Sequence, residues 1–223
     1  MIATKRLLTS GRLGRIIAIN GVWALCKPSS YFDPPTEWRR SAGVIAINLI
    51  HDIDILQHLL GPVVRVHAEP APKQRTHPAE EGAAVVLRFA SGAIGTFLLS
   101  DALPTPFNFE AGTGENPTIP RTGLDFYRVF GSEGCVSVPD MRVWSYGRSV
   151  EKSWLEVITE ERDEVEEMRV PFELQAEHLV RVVRGQEDPV CSGVDGLSAV
   201  LVSEAVKRSM DSGLPVDIEV LAS

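Results

Sequence analysis

"GVIAINLIHDIDILQHLLG", residues 43–61, decides the fold. The run is rich enough in Ile and Leu to be a buried helix, and Gly61 ends it as a glycine commonly does. Yet it carries Asn48, His51, Asp52, Asp54 and His58. Residues three, four and seven apart share a helix face, so Asn48, His51, Asp54 and His58 line up in one polar row. Asp52 points about 100° away from His51 and reads as structural. A helix apolar on most sides and polar along one stripe is expected to pack on a sheet and turn the stripe toward a cleft.

The flanking sequence supplies the sheet. Upstream, residues 1–10 read as the end of a helix with Leu7 and Leu8 on its apolar side and Gly11 as its stop, and "RIIAINGVW", 15–23, reads as a strand. Between that strand and the helix, "KPSSYFDPPTEWRR", 27–40, carries three prolines and predicts an unusually long loop, the kind that often has a function. Downstream come "VVRVHAEP", then "GAAVVLRFA" and "AIGTFLLSD" joined by Ser-Gly as a hairpin, a second long loop over 102–123, and "LDFYRVFGSEGCVSVP" with "MRVWSYG" as further strands. "FELQAEHLVRVVRG" and "GLSAVLVSEAVKRSMDSG" repeat apolar residues at helical spacing, and the acidic "EERDEVEEM", 160–168, reads as a solvated face. Segregated strands and helices predict an α+β fold, a large mostly antiparallel open sheet with helices on one face. Residues 15–223 form one domain in this reading, and 1–14 are the remnant of a linking helix.

Composition narrows the function. The 223 residues carry a net charge of -8, which disfavours nucleic acid or an anionic membrane surface as partner. Cys26, Cys135 and Cys191 have no CxxC spacing and read as buried thiols rather than disulfides or zinc ligands. No leader pattern is seen, and no stretch reaches the ~18 apolar residues of a spanning helix, so a cytoplasmic location is expected.

Three readings compete for the polar row. In the first, Asp54 is an intrahelical partner for His51 or His58 along a wet edge. In the second the row binds a metal, although ligands seven residues apart lie about 10 Å apart along the axis and converge poorly. In the third, His51 exchanges a proton with a substrate hydroxyl, Asp54 fixes its tautomer, and the loop with Lys27, Tyr31, Trp38, Arg39 and Arg40 folds over the substrate.

Read in order, "SGRLGRI", "NGVWALCKPSSYF", "EWRR", "AGVIAINLIHDIDIL", "GPVVRVHAE", "ASGAIGTFLLSD", "TGENPTIP", "FYRVFGSEG" and "SGVDGLSAVLVSEAVKRS" resemble the carboxy-terminal domain of the Gfo/Idh/MocA oxidoreductases across nearly the whole chain. The resemblance implies a substrate domain partnered elsewhere by a Rossmann domain that binds NAD or NADP, with the sheet mediating homo-oligomer contacts. It also implies a sugar, polyol or related hydroxy compound as small-molecule substrate and His51 as catalytic acid or base. Asn48, Trp38, Arg39, Tyr31, Asp54, Glu115 and Asn116 are the candidate substrate contacts; for Glu115 and Asn116 a plain turn is the competing reading, and Tyr127 points either to the pocket or into the sheet.

Two features depart from the family. No G-x-G-x-x-G follows a strand, so no residue is assigned to the cofactor, no tight nucleotide binding by this chain is expected, and catalytic silence alone follows. Lys27 follows the first strand and is not the family's catalytic lysine, which belongs to the Rossmann half. Ile47 stands where many polyol dehydrogenases of the family have an aspartate, with Asn48 as its possible substitute. The alternative is a stand-alone dimerisation or ligand-binding module without chemistry.

Overall fold

The computed structural model describes residues 1–147, 151–163 and 170–221. Its centre is a sheet in which nine strands are described: Ile16–Ala24 (β1), Val63–Pro70 (β2), Gly82–Phe89 (β3), Ile94–Ser100 (β4), Tyr127–Gly131 (β5), Gly134–Val138 (β6), Arg142–Ser145 (β7), Thr159–Arg162 (β8) and Val216–Asp217 (β9). They lie in the order β8-β7-β6-β5-β1-β4-β3-β2-β9. Neighbours pair antiparallel except β1 with β4, which run parallel with Ala24 opposite Ser100. A parallel pair needs a long crossover; here the first loop, the central helix and the β2–β3 hairpin supply it. The α+β reading holds, with one mixed pair inside a mostly antiparallel sheet.

The helices are α1 (Ile2–Thr9), α2 (Arg39–Val44), α3 (Ile50–Leu60), α4 (Phe109–Thr113), α5 (Pro171–Val183) and α6 (Gly193–Ser212), with a π-helical turn over Ile45–Leu49 between α2 and α3. Period-two alternation places the core. In β3, Ala83, Val85, Leu87 and Phe89 are buried while Ala84, Val86 and Arg88 face out. The buried set joins Leu49, Ile53 and Leu56 of the central helix and Val202, Ala205 and Val206 of α6 in one cluster. On the opposite face Ile17, Val86, Ile94, Leu98 and Phe130 stay exposed.

Several expectations are corrected. Helix begins at Arg39 rather than 43, because "WRRSA" is polar and hides its winding; Gly43 then breaks the run at φ 79° and ψ 164°. Gly43 sits in backbone space essentially reserved for glycine. A Cβ there would overlap the Glu80 carboxylate, whose Oε1 accepts from the Ile45 N–H at 3.0 Å. Gly43→Ala is therefore expected to cost about 1–3 kcal/mol in denaturant unfolding, and an unchanged midpoint would remove this account. The second long loop contains the short α4, and part of the acidic run forms the edge strand β8; residues 164–168 of that run lie outside the described residues.

The cysteines are free but not buried: Cys26 and Cys191 are exposed and Cys135 is intermediate. Cys26 and Cys191 sit in loops, and Cys135 lies in the interior strand β6, outside the core cluster. By length and composition alone Arg39–Leu60 could cross a bilayer, contrary to the reading from sequence; its contacts with the sheet and α6 account for its apolarity as a core helix. α5 winds as expected but has no buried residue, and Phe172, Leu179 and Val183 of its apolar stripe lie open.

Candidate functional site

The parallel pairing of β1 and β4 decides where polar groups meet. Lys27, just past the end of β1, comes beside Asp101, just past the end of β4, with the Lys27 N–H donating to the Asp101 carbonyl at 2.9 Å. The lysine Nζ lies 3.3 Å from Asp101 Oδ2, with side chains only 7% and 5% exposed. It also donates to Asn48 Oδ1 at 2.6 Å. Its head lies 4.7 Å from the Tyr31 ring centroid and 5.6 Å from that of Trp23. Burial lowers Lys27 from the ordinary lysine range; Asp101 opposes the shift, while Arg75 and Arg39 reinforce it.

A second layer holds this pair. Arg75 bonds the Asp101 carboxylate and reaches Glu81 Oε1 at 3.1 Å. Glu81 also accepts the N–H of Gln74 at 2.6 Å and of Arg75 at 2.8 Å. Burial works to raise the Glu81 carboxyl, and those two N–H groups with the Arg75 guanidinium overcome it and hold it below its ordinary value. The long loop then closes over the cluster. Arg39 lies 3.9 Å over the Tyr31 ring and 5.6 Å from that of Trp38, and its Nη1 donates to the Tyr31 carbonyl at 3.0 Å.

The polar row divides along its length. Asn48 stands in the π turn, a wider winding that often marks functional sites, and turns to Lys27. His51, one turn on, is exposed; no hydrogen bond or ion pair is found for it among the described residues. Asp54 does not hold a histidine: its Oδ1 takes the Cys191 thiol at 3.9 Å, a thiol that burial, then Asp54 and Asp195, push up. Asp54 and His58 border a separate cavity of about 420 Å³ with Met1, Val194 and Asp195. The tautomer-fixing role expected for Asp54 thus finds no geometry, because the i+3 step aims it at α6. No group of three or more His, Cys, Asp or Glu side chains that could hold a metal occurs among the described residues.

The remaining candidates separate. Trp38 is 57% exposed at the mouth of the cluster. Asn116 takes the turn role, its Oδ1 accepting from Thr118 N at 3.0 Å and Thr118 Oγ1 at 2.7 Å. Glu115 is raised by burial and then by Glu110, against the pull of the terminal amine. Tyr127 points into the core and donates to Asp52. Asp52 is fully enclosed; burial lifts its carboxyl to about 8 against the Tyr127 hydrogen bond. Asp101 and Arg75 are the site residues absent from the sequence reading, which places Lys27 only in the loop over the substrate. The one signal was a lysine directly after an apolar strand; its partner lies on a strand that no local pattern pairs with β1.

The fold is an α+β domain built on one large, mostly antiparallel sheet with a polar cluster at the ends of β1 and β4. The family model described as "Oxidoreductase family, C-terminal alpha/beta domain" matches residues 5–218, and the chain belongs to that family, the Gfo/Idh/MocA oxidoreductases. It is similar to myo-inositol 2-dehydrogenase of Thermotoga maritima, 26% identical over 202 residues, which cover 83% of this chain and 52% of the relative. The chain thus spans about half the length of that dehydrogenase. Among solved structures, the WlbA dehydrogenase of Bordetella pertussis in complex with NADH and UDP-GlcNAcA superimposes with a TM-score of 0.69 at 22% identity, over 97% of this chain and 59% of that one. An oxidoreductase of Agrobacterium radiobacter in complex with NAD+, L-tartaric acid and magnesium gives 0.65 at 19% identity, over 97% and 60%. At these identities the structural likeness shows the fold.

Proposed function

We propose that this chain is the substrate-holding half of an NAD- or NADP-dependent dehydrogenase acting on a hydroxyl-bearing carbon of a sugar, polyol or related acid. The carrying observation is the meeting of Lys27, Asn48, Tyr31 and Arg39 at the ends of β1 and β4, with exposed His51 one helical turn beyond Asn48. Bound nicotinamide supplies the hydride acceptor. The chain's own part is to fix the substrate against the Lys27 cluster, cover it with the Tyr31–Arg39 loop, and take the hydroxyl proton on a ring nitrogen of His51. Among the described residues no strand runs through a glycine-rich turn into a helix, so no residue is assigned to the dinucleotide. Alone the chain is catalytically silent, since hydride transfer needs both reactants held within about 3–3.5 Å.

The exposed apolar residues Ile17, Val86, Ile94, Leu98 and Phe130 on the open sheet face support self-association through the sheet. They equally favour the second reading, a ligand-binding or dimerisation module without chemistry. A cytoplasmic location fits either reading. Titrating the purified chain with NADH and NADPH, with energy transfer from its tryptophans as signal, tests the division of labour. No saturable transfer is expected; micromolar saturation would place a dinucleotide site inside this chain and overturn it.

A further inference from the structure

We propose that Lys27 and Arg39, flanking Tyr31, form a subsite for a carboxylate, so that the substrate is a sugar acid or hydroxy acid rather than a neutral polyol. The inference rests on reading the Lys27 cluster as the substrate site. A lysine is almost never so enclosed unless it is paired, and Lys27, with a side chain only 7% exposed, is incompletely paired. The ammonium has three donors. Asn48 and Asp101 accept two of them, and the third has only the Tyr31 and Trp23 rings beside it. Arg39 repeats the pattern. Its Nη1 is bonded to the Tyr31 carbonyl, while its Nε is buried without an acceptor among the described residues.

Charge points the same way. The groups whose fields reach Lys27 are one carboxylate, Asp101, and two cations, Arg75 and Arg39. Arg75 is already committed to Asp101 and Glu81, which leaves positive charge unbalanced at the Lys27–Arg39 side. A neutral hydroxyl accepts one such hydrogen bond and balances no charge. A carboxylate accepts through charge-assisted bonds roughly twice as strong as neutral ones and balances that charge as well. The cluster is rigid before any ligand arrives, because the backbone N–H of Lys27 and its head are both tied to Asp101. No ordering of the lysine stem then opposes binding.

The test measures affinities of the purified chain for D-gluconate and D-glucuronate against D-glucitol and D-glucose, by tryptophan fluorescence, with inorganic phosphate and chloride as ionic controls. The acids are expected to bind about ten-fold or more tightly than their neutral counterparts, and Lys27→Met to erase that preference by weakening the acids far more than the neutral sugars. Arg39→Gln, at a half-exposed position, gives the same readout should Lys27→Met fail to fold. Equal affinity for acids and neutral sugars, or an acid preference that survives both substitutions, overturns the carboxylate subsite alone. Absence of binding by every sugar and acid overturns the substrate-site reading itself. Phosphate binding as tightly as the acids marks a general anion site and also overturns the proposal.

Discussion

Turnover falls about 10²–10⁴-fold when His51 is replaced by alanine in an enzyme that joins this chain to a dinucleotide-binding domain, the usual contribution of a positioned acid–base group. The loss is expected in kcat with little change in KM, because in the proposed site Lys27 and Asn48, rather than the imidazole, hold the substrate. Folding is spared: His51 is exposed and carries no bond that its removal would orphan among the described residues. Undiminished turnover would remove His51 from the chemistry and turn attention to the module reading.

The second large effect lies one residue away, on the other side of the helix. Asp52 is enclosed between α3 and Tyr127 with its carboxyl raised to about 8, burial being the main cause. The same group in the unfolded chain titrates near ~3.9. Between those two values the folded protein keeps a proton that the unfolded chain has released. Stability from this group is therefore complete below pH ~4 and is lost progressively up to about pH 8, at about 1.4 kcal/mol per pH unit. Asp52→Asn keeps the shape and an acceptor for the Tyr127 hydroxyl but cannot ionise. Urea unfolding at pH 5 and pH 8 should show the variant gaining a few kcal/mol on the parent across that interval. Parallel stability profiles would mean that Asp52 stays ionised in the folded protein.

The long elements were legible in the sequence because each carries its own period. The β3–β4 hairpin alternates cleanly over two strands, and the central helix and α6 repeat at helical spacing long enough to be unmistakable. β8, β9 and α4 are four, two and five residues long and hold too few turns of any period to register. β8 reads "TEER" with every residue exposed, so hydrogen bonding to β7 alone makes it a strand.

The site was legible only in its helical part. Of the candidates, Asn48 and Tyr31 lie against Lys27, and Arg39 stacks on Tyr31. Asp101 and Arg75 stayed hidden, and Lys27 showed only as a loop residue, because their meeting depends on β1 lying parallel to β4, a pairing set by tertiary packing across some seventy intervening residues. Asp54 misled for the converse reason. Its local spacing to two histidines was correct, and a cysteine 137 positions away took its hydrogen bond.

The π turn at Ile45–Leu49 has a bearing on how such a domain could diversify. A π turn is in effect one residue inserted into an α-helical run. Deleting a residue there would re-phase the loop-side half of the helix by about 100°, swinging Arg39 and its neighbours away from the Lys27 cluster while His51 kept its footing on the sheet. On the proposed function the helix would work like a shaft with a coupling in the middle: recognition at one end and reaction at the other could be regeared independently, and a single codon would be enough to slip the clutch.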